Sequence, residues 1–379
     1  MYPALSVLLY LKHEAERPRN EAGAVEGQPQ ASLQPATDLQ TLWVGGVGGM
    51  EADLVKREGV RFEAIPAAQV HGVGLKALPG LWQVLRGYFA SRRLLRKFRP
   101  DVLLFTGGYV GVPMALAARR RRGMRSLLYV PDIEPGWALK LLARFADHVA
   151  VTVEQGRAFF PKHPAVTVTG YPLRPGLGEC SLEEARQVFA LRSDLPLLLV
   201  FGGSKGARSI NQALMAALPE LLQEMQVLHI SGTLDWPQVE QARAMLTAEQ
   251  SARYRAYPYL HKEMGAAYRA ADLALTRAGA STLGEFPYFG LPSILVPYPY
   301  AWRYQRVNAE YLAQRGAAEI LEDADLPQQL APTVLRLMGD AALRAQMGQA
   351  MRSLAQPQAS AKIADLLVSL AGQTVGERV

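Results

Sequence analysis

The chain has 379 residues, 49% of them hydrophobic and 20% charged, with a net charge of +7 and one cysteine, Cys180. That length exceeds one ordinary core and predicts two α/β domains, while a lone cysteine excludes an intrachain disulfide and points to a reducing compartment. No uninterrupted apolar run reaches the length of a membrane span and no secretory leader opens the sequence, so a soluble or surface-resting protein is expected.

Residues 1–11 read as a helix with Pro3 in its first turn, where a missing N–H costs little. A doubly wound domain ordinarily opens on a buried strand. None precedes this helix, so the first strand of the N-terminal domain is expected to be missing. Residues 17–38, rich in Glu, Gln, Pro, Ala and Gly without an apolar period, read as a loop. A short strand at 42–46, a helix at 50–58 and a strand at Phe62–Ile65 follow, then a glycine-containing loop at 70–76.

The segment 77–98 reads as a basic amphipathic helix. Leu78, Leu81, Trp82, Leu85, Tyr88 and Phe89 fall near one face or one end, and Arg86, Arg92, Arg93, Arg96 and Lys97 decorate the rest. Such a stripe either packs into the core or rests on anionic lipid. A good part of the net charge is concentrated between Lys76 and Arg125, which suits nucleic acid or an anionic membrane, and the neighbouring motifs decide between them. Strand 101–105 leads to the glycine turn Thr106–Pro113 and a helix at 114–118, and the arginine run 119–122 reads as a solvated helix end or a phosphate-attracting cluster.

Strands at 126–130, 149–153 and 166–168 complete the first half, with a helix ending at Phe145 between the first two. Gly170, Pro172 and Pro175 break the pattern at a hinge. Beyond it, strands are predicted at Leu197–Phe201, 227–230, 256–258, Leu273–Thr276, 293–296 and Ala318–Ile320, with helices between them. This alternation implies two parallel sheets covered on both faces, with domains at 1–170 and 171–357 and a last helix from 359 to 371, within 358–379, crossing back to the first.

Chemistry concentrates in the second half. Five apolar residues, Leu197 to Phe201, run into Gly202, Gly203 and Gly206, and a helix-periodic segment from Ile210 follows. Strand, glycine turn and helix together leave backbone N–H groups free to face a phosphate, although the same turn could merely pack helix on strand. A second such turn runs from Thr276 to Glu285. Its Gly279 frees the backbone, and Glu285 either closes a capping box with Thr282 or accepts from the two hydroxyls of a ribose. Gln305, opening a further helix, suits sugar hydroxyls or is a surface amide, and Arg174 at the hinge is either solvated or placed to neutralise a diphosphate. The six histidines are scattered without triad or metal-ligand spacing, so no metal or cofactor is expected, and Cys180 has no histidine near it in sequence.

The runs 202–207, 170–174, 277–285 and 305–308 resemble the donor-site signatures of the MurG family, the N-acetylglucosaminyltransferases that make lipid II from lipid I. The likeness extends to 1–5, 50–55, Pro100, Asp101 and 107–110, and covers nearly the whole chain except 17–38. The resemblance implies a GT-B fold, two Rossmann-like doubly wound domains facing a cleft. Its substrates would be UDP-GlcNAc and undecaprenyl-linked lipid I, with no nucleic acid partner. It also implies a peripheral place on the cytoplasmic face of the bacterial cell membrane, held by an anionic surface, in cell wall biogenesis, cell shape and division.

By the same resemblance, Gly203, Ser204, Gly206 and Arg174 would hold the diphosphate, and Glu285 the ribose. Ala280, Ser281, Thr282 and Leu283 would line the nucleotide, the backbone of Leu260 and His261 would meet uracil, and Gln305 the sugar. Gly107, Gly108 and Tyr109 would lie near the lipid diphosphate. Three departures stand out. The family's Gly-Gly-Thr-Gly-Gly-His loop would lie upstream of Met1, and with it the general base, so no base is assigned. Asp132 stands where the family often has Asn, and a carboxylate cannot donate as an amide does. The acidic residue usual shortly before Gln305 is absent from 301–304. The rival expectations are a UDP-sugar epimerase of the same fold, or a UDP-sugar binder made catalytically deficient by loss of the N-terminal glycine loop.

Overall fold

A computed structural model of the protein describes residues 2–16, 39–48, 51–67, 78–119, 124–203, 206–299 and 304–376. The loops expected at 17–38 and 70–76, Arg120 to Arg122 of the arginine run, and Ser204 lie outside the described residues. Two compact units divide the chain, Met1–Arg174 with Gln358–Val379, and Pro175–Pro357.

In the first unit, β1 (Trp43–Gly46) pairs with β2 (Phe62–Ile65), while β3 (Val102–Phe105), β4 (Arg125–Val130), β5 (His148–Val151) and β6 (Val166–Val168) form a separate sheet in that order. All pairings are parallel, and among the described residues no strand joins the two sheets. The first described element is the Tyr2–Glu16 helix, longer than the apolar period suggested. It packs on the Ala359–Gly376 helix, and Val7, Ile363, Leu367 and Leu370 close a cluster over Leu127, Tyr129 and Ala150 of β4 and β5. The helix expected at 114–118 starts earlier, as Gly111–Ala118, because Pro113 sits in a first turn whose N–H groups need no partner.

The Leu78–Phe98 helix divides the apolar residues that fall near one face or one end in the sequence. Among the described residues its buried positions are Gly87, Ser91 and Leu95, with Tyr88 and Leu94 packed on the same core cluster beside the Gly111–Ala118 helix. Trp82, Leu85 and Phe89 instead point outward, 61%, 46% and 57% exposed. With Arg86, Arg92, Arg93 and Arg96, all exposed, they make one stripe at helical spacing. From 82 to 96 that stripe runs for about 21 Å at the usual helical rise.

The second unit is a six-stranded parallel sheet. Its strands are β7 (Leu197–Phe201), β8 (Gln226–Ile230), β9 (Tyr254–Tyr257), β10 (Leu273–Thr276), β11 (Ser293–Leu295) and β12 (Ala318–Ile320). They lie in the order β12-β11-β10-β7-β8-β9. Every residue of β7 and β8 is buried, as strands covered on both faces require. From β7 the chain builds outward through β8 and β9, then returns to place β10 on the other side of β7, so the order reverses between β7 and β10. Crevices at the carboxyl ends of such a pair are where doubly wound sheets receive ligands.

Candidate functional site

Register brings the two glycine-opened turns together. Thr276, the last residue of β10, is paired with Phe201, the last residue of β7, so both turns leave adjacent strand ends roughly 4.8 Å apart. Ile230 ends β8 opposite Phe201, Tyr257 ends β9 opposite Ile230, and Leu295 ends β11 opposite Thr276. Gly203 and Gly206, Leu260 and His261, Ala280 to Glu285, and Gln305 therefore all follow the same carboxyl edge of one sheet.

The first turn is built by its glycines. Gly203 and Gly206 have φ of +85° and +78°, in the left-handed region that side chains resist. At Gly206 a Cβ would sit 2.2 Å from the Ser231 carbonyl oxygen, so the turn can lie on the end of β8 only without a side chain there. The Arg208–Glu224 helix follows, with Ala207 at its N-cap and no acidic residue in its first turn. Alanine offers no oxygen to the first-turn N–H groups, which leaves them to an anion together with the positive end of the helix dipole. Ser204, expected beside them, lies outside the described residues.

The second turn departs from the capping-box expectation. Residues Ala280–Leu283 form a 3-10 turn in which Thr282 donates its hydroxyl to the Gly279 carbonyl at 2.7 Å, and the N-cap of the following Glu285–Phe289 helix is Gly284. Glu285 opens that helix, is buried, and accepts from the Tyr268 hydroxyl at 2.8 Å. Tyr268, on the Met264–Ala270 helix, carries no signal in the sequence, because a buried tyrosine there reads as core. Asn308, also buried, donates to the Ala278 carbonyl at 3.2 Å and fastens the turn from the Tyr304–Ala313 helix.

Gln305 has one side of its amide engaged: its Oε1 accepts from the Tyr298 N–H at 2.9 Å. The Nε2 donor is the side of that amide with which it would address a sugar hydroxyl. At the end of β9, the His261 N–H donates to the Glu263 carboxylate at 3.1 Å and its ring stands 4.6 Å from that of Tyr259. Any uracil contact through the His261 N–H therefore has a carboxylate to displace.

Residues of the first unit assemble at the carboxyl edge of their own sheet. Gly107, Gly108 and the half-exposed Tyr109 follow β3, Asp132 follows β4, and those strands are neighbours. Burial pushes the Tyr129 hydroxyl well above the usual phenol range, and the Asp132 carboxylate adds to the rise against an opposing hydrogen bond with Thr152. Tyr129 also donates to the Gly170 carbonyl at 3.2 Å, tying the hinge to the sheet. Arg174 lays its guanidinium 5.1 Å from the ring centroid of Tyr2, a cation–π contact. Among the described residues no group of three or more His, Cys, Asp or Glu side chains could hold a metal ion, and no helix is long and apolar enough to cross a membrane.

Residues 197–367 match the glycosyltransferase family 28 C-terminal domain and residues 35–151 the N-terminal domain of that family. The UDP-N-acetylglucosamine--N-acetylmuramyl-(pentapeptide) pyrophosphoryl-undecaprenol N-acetylglucosamine transferase of Roseiflexus sp. (strain RS-1) is 39% identical, over 98% of this chain and 92% of that protein. The crystal structure of Acinetobacter baumannii MurG superposes with a TM-score of 0.68 at 26% identity, over 97% of this chain and 95% of that one. A putative UDP-N-acetylglucosamine 2-epimerase from Listeria monocytogenes superposes with a TM-score of 0.63 at 14% identity, a likeness of fold alone. Matched in both domains and along nearly its whole length, the chain belongs to glycosyltransferase family 28, with the two-domain GT-B fold of the MurG N-acetylglucosamine transferases.

Proposed function

We propose that the protein transfers N-acetylglucosamine from UDP to the C4 hydroxyl of the muramoyl sugar of lipid I, forming lipid II. The observation that carries this reading is the pairing of Phe201 with Thr276, which sets two glycine-opened turns side by side where the strand order reverses. Gly203, Gly206 and the first-turn N–H groups of the Arg208–Glu224 helix hold the diphosphate, with Ser204 and Arg174 assisting. Glu285 holds the ribose, Ala280 to Leu283 line the nucleotide, Leu260 and His261 meet uracil, and the Gln305 amide nitrogen meets the sugar.

The acceptor oxygen attacks the anomeric carbon as the bond from that carbon to the diphosphate oxygen breaks, with inversion. The acceptor proton goes to a base, and no described side chain is assigned to that role. The departing UDP gains negative charge as the bond breaks. Preorganised helix-end amides and a guanidinium therefore favour the transition state over the ground state.

Gly107, Gly108, Tyr109 and Asp132 are assigned to the lipid I side. The stripe of Trp82, Leu85 and Phe89 among arginines supports a peripheral position on an anionic membrane, at the cytoplasmic face where a UDP-sugar is supplied.

Incubation with radiolabelled UDP-GlcNAc, with and without a lipid I analogue, tests the reading. Transferase action yields a lipid-linked disaccharide and free UDP only when acceptor is present. Conversion of the nucleotide sugar without acceptor would establish the epimerase instead, and binding without turnover in either tube would establish a non-catalytic binder.

A further inference from the structure

Arg277 follows the last residue of β10 and is 9% exposed, with partners drawn from three separate parts of the second unit. Its Nη1 donates to Asp323 Oδ1 at 2.5 Å and to the Val296 carbonyl at 3.3 Å, and its Nη2 donates to Ser209 Oγ at 2.7 Å. Ser209 donates its own proton to the same Asp323 oxygen at 2.7 Å, which closes a ring of three side chains. On the other side the guanidinium carbon stands 5.2 Å from the Tyr298 ring centroid, and the Tyr298 N–H is the group that holds Gln305. Ser209 is the second residue of the Arg208–Glu224 helix. A single planar cation thus touches the helix end behind the first glycine turn and the residue that fastens Gln305.

We propose that Arg277 is a positioning residue for the sugar nucleotide: by bonding Ser209 and stacking on Tyr298, it sets the spacing between the helix end offered to the diphosphate and the Gln305 amide offered to the sugar. The proposal rests on the donor-site reading above. The guanidinium suits this task because its donors point in fixed directions within one plane, whereas a lysine ammonium is a point charge on a flexible stem. The half-buried Asp323 contact neutralises the charge, and the two remaining arms carry the geometry. In UDP-GlcNAc the diphosphate and the sugar are joined covalently, so the spacing matters to that ligand. UDP reaches the diphosphate end alone and is insensitive to it.

Calorimetric titration of UDP and of UDP-GlcNAc into the full-length protein, Arg277→Lys and Ser209→Ala tests this, with melting temperatures measured alongside. Ser209→Ala keeps the ion pair intact and serves if the lysine variant fails to fold. Arg277→Lys is expected to weaken UDP-GlcNAc about tenfold more than UDP, and Ser209→Ala about threefold more, the size of one hydrogen bond or less. A residue that only holds the fold together would lower the melting temperature and weaken both ligands in parallel. Equal losses for the two ligands, or an unchanged ratio in Ser209→Ala, overturn the proposal while leaving the donor site standing. A wild-type protein that binds neither ligand overturns the donor-site reading and the proposal with it.

Discussion

His229 lies on β8 with no exposed surface, in a chain of side chains that runs beneath the first glycine turn. Asn211 donates its amide to the Ser231 carbonyl and to Asp235 Oδ2, both at 2.9 Å, so its Oδ1 can only accept from His229 Nε2. His229 Nδ1 then accepts from the Tyr254 hydroxyl at 2.7 Å, which makes the ring the neutral Nε2–H tautomer. Burial lowers its pKa to about 3, against a small opposing pull from Asp235. An unfolded chain returns the ring to the ordinary range near 6.5. Between those values the unfolded state takes up a proton that the folded state refuses, so His229 makes stability fall as pH falls below about 6.5, by up to ~1.4 kcal/mol per pH unit. Above that range its contribution is flat. Denaturant melts of the wild type and of His229→Gln at pH 7.5, 6 and 5 check this: the wild type is expected to lose stability more steeply with acid, and parallel profiles would exclude the ring as the cause.

At the scale of the element, the Leu78–Phe98 helix shows how composition and placement part company. In the sequence its apolar residues fall near one face or one end; the core takes Tyr88, Ser91, Leu94 and Leu95, and Trp82, Leu85 and Phe89 are left among arginines. Burying an aromatic or leucine side chain in lipid is worth about 1.5–3 kcal/mol, and each nearby basic residue adds ~1 kcal/mol at an anionic surface. Trp82→Ser with Phe89→Ser is therefore expected to reduce partition onto phosphatidylglycerol vesicles at least tenfold, without changing UDP affinity. Co-sedimentation at two salt concentrations reads both terms, since the charge contribution is screened and the apolar one is not. Undiminished sedimentation of the double variant would remove this helix as the membrane contact.

At the scale of the molecule, the two compact units each hold their own core, and the chain returns to the first through the Ala359–Gly376 helix. Ile363 is fully buried there against β4 and β5, so Ile363→Ala removes packed methyl and methylene groups and is expected to cost about 2–5 kcal/mol. The loss belongs to the first unit. Hydrogen exchange followed by mass spectrometry should show β3 to β6 losing protection while β7 and β8 keep theirs. Equal loss in both units would mean that they unfold as one.

Much of this architecture was readable from the chain alone. Leu197–Phe201 and Leu273–Thr276 were legible as strands because continuous apolar runs end abruptly at glycine or polar residues, and Gly203 and Gly206 marked the first turn because φ above zero excludes most other residues. The break at residues 170–175 stood out for the same local reason, since proline and glycine interrupt both periods. Strand order was not readable. That β10 returns to the far side of β7, and so brings Thr276 beside Phe201, depends on contacts between residues some 75 positions apart that no local period records. Tertiary structure also decided the side chains' company: Tyr268 on Glu285, Tyr298 on Gln305, and Arg277 between Ser209 and Asp323. Periodicity reports how one element meets the core, whereas a hydrogen bond between elements exists only once the sheet has set their distance.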